Sequence, residues 1–270
     1  MAYFVAVAVW LLALALILPA YLGPWGFPEA ITPLAREIDN RMTLTFILSG
    51  VIFLLSQFAL GYAVIRFGRK RKEAANYIEG SNRLELLWTA GGAAIFIGLS
   101  LASYSAWAEA RFDAERRSEG NADRLIVEVV GQQFVWNIRY AGPDGDFGPT
   151  DPKLIDDSMG NPLGVDRSHP MGEDDLIVPR LALPVGREVE IVLKSKDVVH
   201  NFFVPELRIK LDSVPGLEGR LRFTPDKTGT YEIACSELCG LGHYRMRAFM
   251  EVMEPAAFET WLAEQAQYVQ

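Results

Sequence analysis

The 270-residue chain is half hydrophobic yet 22% charged, a balance that excludes both a pure membrane bundle and a plain soluble protein. Its formal net charge of −8 disfavours nucleic acid as a partner, because phosphate binding needs clustered Lys and Arg. Two cysteines, Cys235 and Cys239, four residues apart, fall short of the disulfide framework of a secreted domain.

In chain order, the first features are three apolar runs, Phe4–Leu22, Met42–Ile65 and Leu86–Ala108. A helix crossing the hydrocarbon core needs ~20 mostly apolar residues, and all of them qualify. The first run reads either as a cleaved signal peptide or as a retained helix. No charge precedes Glu29, and Pro19, Tyr21 and Pro24 crowd the place of cleavage; both features favour the retained helix. Arg66, Arg69, Lys70, Arg71 and Lys72 lie between the second and third runs and predict a cytoplasmic loop. Everything after Ala108 is then expected on the outer face, in a bacterium the periplasm or the external surface.

From Leu125 onward the pattern changes to short alternating runs. Ile126–Val130, Phe134–Ile138, Val189–Leu193 and Tyr231–Ala234 read as strands. Gly142-Pro143-Asp144-Gly145, Val214-Pro215-Gly216 and Lys227-Thr228-Gly229 punctuate them as turns. Such strands predict a Greek-key sandwich or barrel. Residues 142–174, poor in apolar side chains, predict a flexible polar surface excursion, and Ala256–Tyr268 a closing amphipathic helix. The expected organisation is an additional N-terminal helix (or signal peptide) with an outer loop over 1–41 and a transmembrane hairpin over 42–110. A β domain over 111–255 with a polar insertion at 142–174 follows, and then a C-terminal helix over 256–270.

The chemistry concentrates in Cys235-Ser-Glu-Leu-Cys239-Gly-Leu-Gly-His243-Tyr-Arg-Met246, a C-x3-C-x3-H-x2-M spacing, with His200 upstream in Asp197-Val-Val-His200. Two thiolates, two imidazoles and a thioether are soft-to-intermediate donors, a set that selects copper over hard cations. A Cys235–Cys239 disulfide is one alternative. A zinc site is another, but structural zinc usually closes with C-x2-C pairs and has no use for Met. Five donors at these separations behind a helical anchor outweigh both.

This segment closely resembles the copper loop of cytochrome c oxidase subunit II, a likeness that covers most of the chain from the second apolar run onward. The resemblance implies a cupredoxin-like β domain holding a dinuclear copper centre, CuA. Cys235 and Cys239 would bridge the two ions, with His200 and His243 one on each. Met246 would be the weak axial ligand of one copper and the Glu237 carbonyl its counterpart on the other. Phe202, Phe203 and Leu238 would exclude water. Arg208–Gly216 matches the segment that packs against subunit I, and the Glu237 carboxylate matches a ligand of a magnesium ion shared with that subunit. Glu85 stands where the family places an acid at a proton-channel mouth, although an acid at a helix start has its own electrostatic reason.

Two departures from the family stand out. The aromatic motif has two Trp, the first receiving the electron; here Gly131-Gln-Gln-Phe134-Val-Trp136 puts Phe134 in that place. Trp136 and Tyr140 read as core, Phe134 as either core or donor contact. Ala90-Gly91-Gly92 replaces the usual Pro of the third helix. The implied function is that of the subunit which takes electrons from a c-type cytochrome and passes them to haem in subunit I, where oxygen is reduced and protons are pumped. The chain has no C-x-x-C-H motif, so the donor would be a separate protein, soluble or in a membrane supercomplex. The alternative is the metal-free subunit II of a quinol oxidase. A nitrous-oxide-reductase type of copper enzyme and a periplasmic metal-storage protein are less compatible with the helical anchor and the five donors.

Overall fold

The computed structural model describes residues 1–22, 26–68, 77, 79–108 and 123–267. Arg69, Lys70, Arg71 and Lys72 of the basic loop, Pro24, and Tyr268 lie outside the described residues. The chain divides into two compact units, Met1–Phe27 with Glu37–Trp107, and Pro28–Arg36 with Ala108–Gln270.

The first unit consists of helices α1 (Ala2–Leu22), α2 (Pro33–Phe67, whose first turn counts with the second unit) and α3 (Asn82–Ala108). Each contains a window long and apolar enough to cross a membrane. The first apolar run is thus a helix packed on α2. Ala6 and Ala13 are buried, the Trp10 indole N–H donates to the Gln57 carbonyl at 3.2 Å, and its ring lies against Phe58 and over Gly61. A side chain at Gly61 would collide with that indole. Much of the remaining apolar surface, including Phe46, Leu55, Leu86, Trp88 and Leu101, is exposed and needs lipid or partner helices to cover it. The helix α3 runs unbroken through Ala90-Gly91-Gly92.

In the second unit, β-branched and aliphatic runs form strands β1 (Leu125–Gln132), β2 (Val135–Tyr140), β3 (Leu176–Val178), β4 (Leu181–Pro184) and β5 (Val189–Ser195). Strands β6 (His200–Val204), β7 (Ile209–Ser213), β8 (Gly219–Phe223), β9 (Gly229–Cys235) and β10 (Arg247–Met253) follow. They make two five-stranded sheets, ordered β3-β2-β1-β5-β8 and β4-β10-β9-β6-β7. Pro184, which cannot donate to a ladder, falls on the edge strand β4. The inward faces bury Val127, Val129, Trp136, Ile138, Ile191 and Leu193 against Leu183, Phe202, Ile233 and Met250. Phe258 and Trp261 of the C-terminal helix, Pro255–Ala266, cover Tyr140.

The outer face of the first sheet is also buried, which alternation alone does not predict. Glu128, Arg139 and Glu190 are there, and each is ion-paired. Arg139 binds Glu128 at 3.0 Å and also Asp175; Glu190 takes Arg222 at 2.9 Å, Arg124 at 3.2 Å, and Arg220. Buried carboxylates require such partners, since an unpaired charge there is strongly unfavourable.

The 142–174 excursion carries local structure that its composition alone does not predict. Thr150 bridges Val165 and Asp156 bridges Asn161; Asp151, Asp156 and Asp166 cap local turns, and Leu163 and Val165 pack on Val130. Its many Asp residues serve as turn acceptors rather than as a solvated run.

Pro28–Arg36 forms part of the β unit. Ile31 is fully buried in the core, its N–H donates to Glu206 at 3.2 Å, and its carbonyl accepts from Asp226 at 2.9 Å. Ion pairs Arg36–Asp226 and Glu29–Lys227 flank it. Replacing Ile31 with Ala is expected to cost about 2–5 kcal/mol, since its side chain is fully buried in the core and the backbone on both sides of it is hydrogen-bonded in place. Thermal unfolding of the full chain in detergent measures this, and an unchanged midpoint would show that the crossing is not part of the folded core.

Candidate metal centre

Strand pairing assembles the site. Phe202 of β6 faces Cys235, the last residue of β9, so His200, two positions earlier, arrives beside that thiol. The loop from Ser236 to Met246 then returns to β10. The Cys235 N–H donates to the Met246 carbonyl at 3.2 Å and Ser236 N–H to Asn201 at 3.0 Å, closing the loop at its base. Gly240, at φ +141°, and a 3-10 turn over His243–Arg245 curl it so that Cys239, His243 and Met246 face inward.

The sequence-predicted donors converge. The two sulfurs are 3.8 Å apart and neither is in a disulfide. Cys235 Sγ lies 4.0 Å from His200 Nδ1 and 3.2 Å from the Glu237 carbonyl oxygen; Cys239 Sγ lies 3.7 Å from both His243 Nδ1 and Met246 Sδ. His200 and both thiols are buried and close enough together to share one ion. Burial, and then the neighbouring Cys235, push the Cys239 thiol up to about 11. Two adjacent thiolates here would repel unless a cation lay between them.

The other predicted residues divide. Trp136 is core, as its alternation implies, and it also sets its ring edge-on to His200, 5.9 Å between centroids. Phe134 is not in the strand predicted for it: β2 begins at Val135, and Phe134 sits in the β1–β2 turn with its ring packed over Gly240 and Gly242 of the loop. Tyr140 is core, its hydroxyl donating to the Ala182 carbonyl at 2.7 Å. Phe202 is buried and Phe203 half-buried, but Leu238 is 79% exposed and excludes no water from the thiols within this chain. With Leu241 and Tyr244, also exposed, it forms an apolar rim on the loop. His169, in the excursion, caps a short helical turn through its contact with Met171 N–H. Glu85 belongs to the helical unit, in the first turn of α3.

Sequence reasoning missed three contributors. Asp197 accepts the Gln133 N–H at 2.7 Å on one oxygen and meets His200 Nε2 at 2.8 Å with the other. Burial pushes the Asp197 carboxyl up, but hydrogen bonds from the Gln133 N–H, His200 and the Val198 N–H outweigh it and hold it below the usual range. The Gln133 side-chain amide donates to the Cys239 carbonyl at 2.5 Å. Gly131 leaves room for the His200 ring. The Asp-x-x-His spacing was a usable signal for Asp197; nothing local marks the other two.

Residues 125–253 match the family model described as "Cytochrome C oxidase subunit II, periplasmic domain", and residues 20–106 match "Cytochrome C oxidase subunit II, transmembrane domain". The chain is 34% identical over 267 residues to the alternative cytochrome c oxidase subunit 2 of Bradyrhizobium diazoefficiens, covering 97% of this chain and 91% of that one. The chain belongs to the cytochrome c oxidase subunit II family. Cytochrome c oxidase subunit 2 of Thermostichus vulcanus is 29% identical, over 87% of this chain and 76% of its own. The crystal structure of the periplasmic domain of subunit II of cytochrome oxidase from Bradyrhizobium japonicum is similar over 54% of this chain and 96% of its own, at 25% identity and a TM-score of 0.39.

For a subunit II chain, the donors fit copper. Sulfur and imidazole nitrogen dominate the pocket, and the carboxylate that reaches His200, that of Asp197, is turned to the ring nitrogen Nε2 and a backbone amide. The Glu237 side chain is exposed, and among the described residues no acidic or His cluster accompanies it. A hard cation at Glu237 would need its remaining ligands from another chain.

Proposed function

We propose that this chain accepts electrons from a c-type cytochrome and delivers them to haem in subunit I of a respiratory terminal oxidase, which reduces oxygen to water and translocates protons. In this reading Cys235, Cys239, His200, His243, Met246 and the Glu237 carbonyl hold a dinuclear copper centre. Held by these residues, such a centre would supply a one-electron redox couple. The observation that carries this is the convergence of His200, His243 and Met246 on two cysteine sulfurs 3.8 Å apart.

The chain's own residues hold that donor set still. The β6–β9 pairing places His200 and Cys235, the 3-10 turn places His243 and Met246, and Trp136 and Phe202 close the inner side to water. Rigid ligands change little between oxidation states, which keeps the reorganisation barrier low. Phe134, packed on the loop, is proposed as the point where the electron arrives. Glu85 is proposed at the mouth of a proton channel, and Glu237 as a contributor to a magnesium site with subunit I. The copper domain is proposed to lie on the periplasmic face of a bacterial inner membrane, with residues 1–41, 42–110, 111–255 and 256–270 as leading helix and outer loop, hairpin, copper domain and closing helix.

Metal analysis and absorption spectroscopy of the assembly purified in mild detergent test this. Two copper ions per chain, a purple mixed-valence spectrum and a haem-bearing partner are expected. An assembly free of copper would favour the metal-free quinol-oxidase relative instead.

A further inference from the structure

We propose that Gln133 and Asp197 form a clamp that orients His200 and anchors the Cys239 backbone, and that through these two contacts they set how tightly the copper pair is held. The proposal rests on the copper reading above. Asp197 uses both carboxylate oxygens, one on the Gln133 N–H at 2.7 Å and one on His200 Nε2 at 2.8 Å. His200 is consequently bounded by Trp136 edge-on and by Asp197 at Nε2, with Nδ1 left toward Cys235 Sγ at 4.0 Å. The same Gln133 reaches the other half of the donor set, its side-chain amide donating to the Cys239 carbonyl at 2.5 Å. A single residue of the β1–β2 turn thereby joins His200, on β6, to the loop that carries Cys239, His243 and Met246.

The Asp197 carboxylate is itself fixed. It accepts from the Val198 N–H at 2.7 Å, and its own N–H donates to the Ser195 hydroxyl at 3.4 Å, which in turn donates to the Val198 carbonyl. Neither clamp residue is core: the Asp197 side chain is 28% exposed, and Gln133 is exposed. Exposed residues whose hydrogen bonds reach the His200 imidazole and the Cys239 backbone act on the site more than on the fold. Partners that orient a metal-bound imidazole typically change affinity about 10–100-fold when removed.

The test uses the full chain in its intact assembly, as wild type, Asp197→Ala, Asp197→Asn and Gln133→Leu. Copper retained against a chelator, the electron paramagnetic resonance spectrum and the reduction potential are measured, with thermal unfolding of the copper-depleted protein as the control for folding. Asp197→Ala is expected to weaken retention about 10–100-fold and to alter the spectrum. Gln133→Leu should give a smaller loss, and Asp197→Asn, whose one amide oxygen still accepts from the Gln133 N–H or from His200, a partial recovery. Copper-depleted unfolding should match wild type throughout. Unchanged retention and spectra in Asp197→Ala and Gln133→Leu would overturn the clamp alone. So would a fall in copper-depleted stability large enough to account for the lost copper. A wild-type assembly without copper would overturn the reading beneath it.

Discussion

Replacing Cys235 or Cys239 with Ser is expected to abolish the proposed two-copper site while leaving the β domain folded. Each sulfur stands between two further donors: Cys235 between His200 and the Glu237 carbonyl, Cys239 between His243 and Met246. The two sulfurs are 3.8 Å apart, so in the proposed centre losing either one removes a donor from the middle of the pocket, not a peripheral ligand. A serine hydroxyl is a harder donor that does not ionise near neutral pH, so it replaces neither the charge nor the softness. Ser is close to Cys in size, and the pairing of residue 235 with Phe202 is through the backbone, so the sheet persists. Copper analysis with absorption spectroscopy decides the matter: either variant keeping wild-type copper and a wild-type spectrum would rule out bridging by that sulfur.

Gly131→Ala is expected to disturb the same site without altering any donor. A Cβ there would lie 2.7 Å from His200 Cδ2, 3.0 Å from its Cγ and 3.2 Å from the Ser213 hydroxyl. The collision cannot be relieved cheaply. β1 is flanked by β2 and β5 in register, with Gly131 facing Trp136 and Ser195, so the backbone is held on both sides. The ring is held in turn by Trp136 and Asp197. Overpacking of this kind costs about 1–3 kcal/mol. Displacing a metal-bound imidazole is expected to lower copper retention on the order of 10–100-fold, as loss of its orienting partners does. Thermal unfolding and chelator competition measure the two effects separately. Wild-type values in both would mean that the ring has room the structure does not show.

The donor set is legible in the sequence because its spacing is local. Cys235, Cys239, His243 and Met246 fall within one loop, and residue type alone restricts which metals such a group holds. The helices are legible for a similar reason, since length and unbroken apolarity are properties of the run itself. Leu238 departs from expectation because residue type does not reveal which way a loop side chain faces. Phe134 departs because a period of two carries on smoothly through a turn that interrupts the pairing. The charged outer face of the first sheet is hidden too, as Glu128 looks solvated until Arg139, across the strand pair, is placed beside it.

Composition and spacing by themselves determined the class of the molecule, apolar helices followed by a β domain with a sulfur-rich loop, and the chemistry that the loop favours. Only the tertiary structure decided that His200 meets Cys235, that Gln133 reaches Cys239 from 106 residues away, that Gly131 must lack a side chain, and that Ile31 belongs to the β core. The physical reason is range. Propensity and donor softness belong to single residues and short windows, whereas orientation and burial depend on strand register, which pairs residues far apart in the chain.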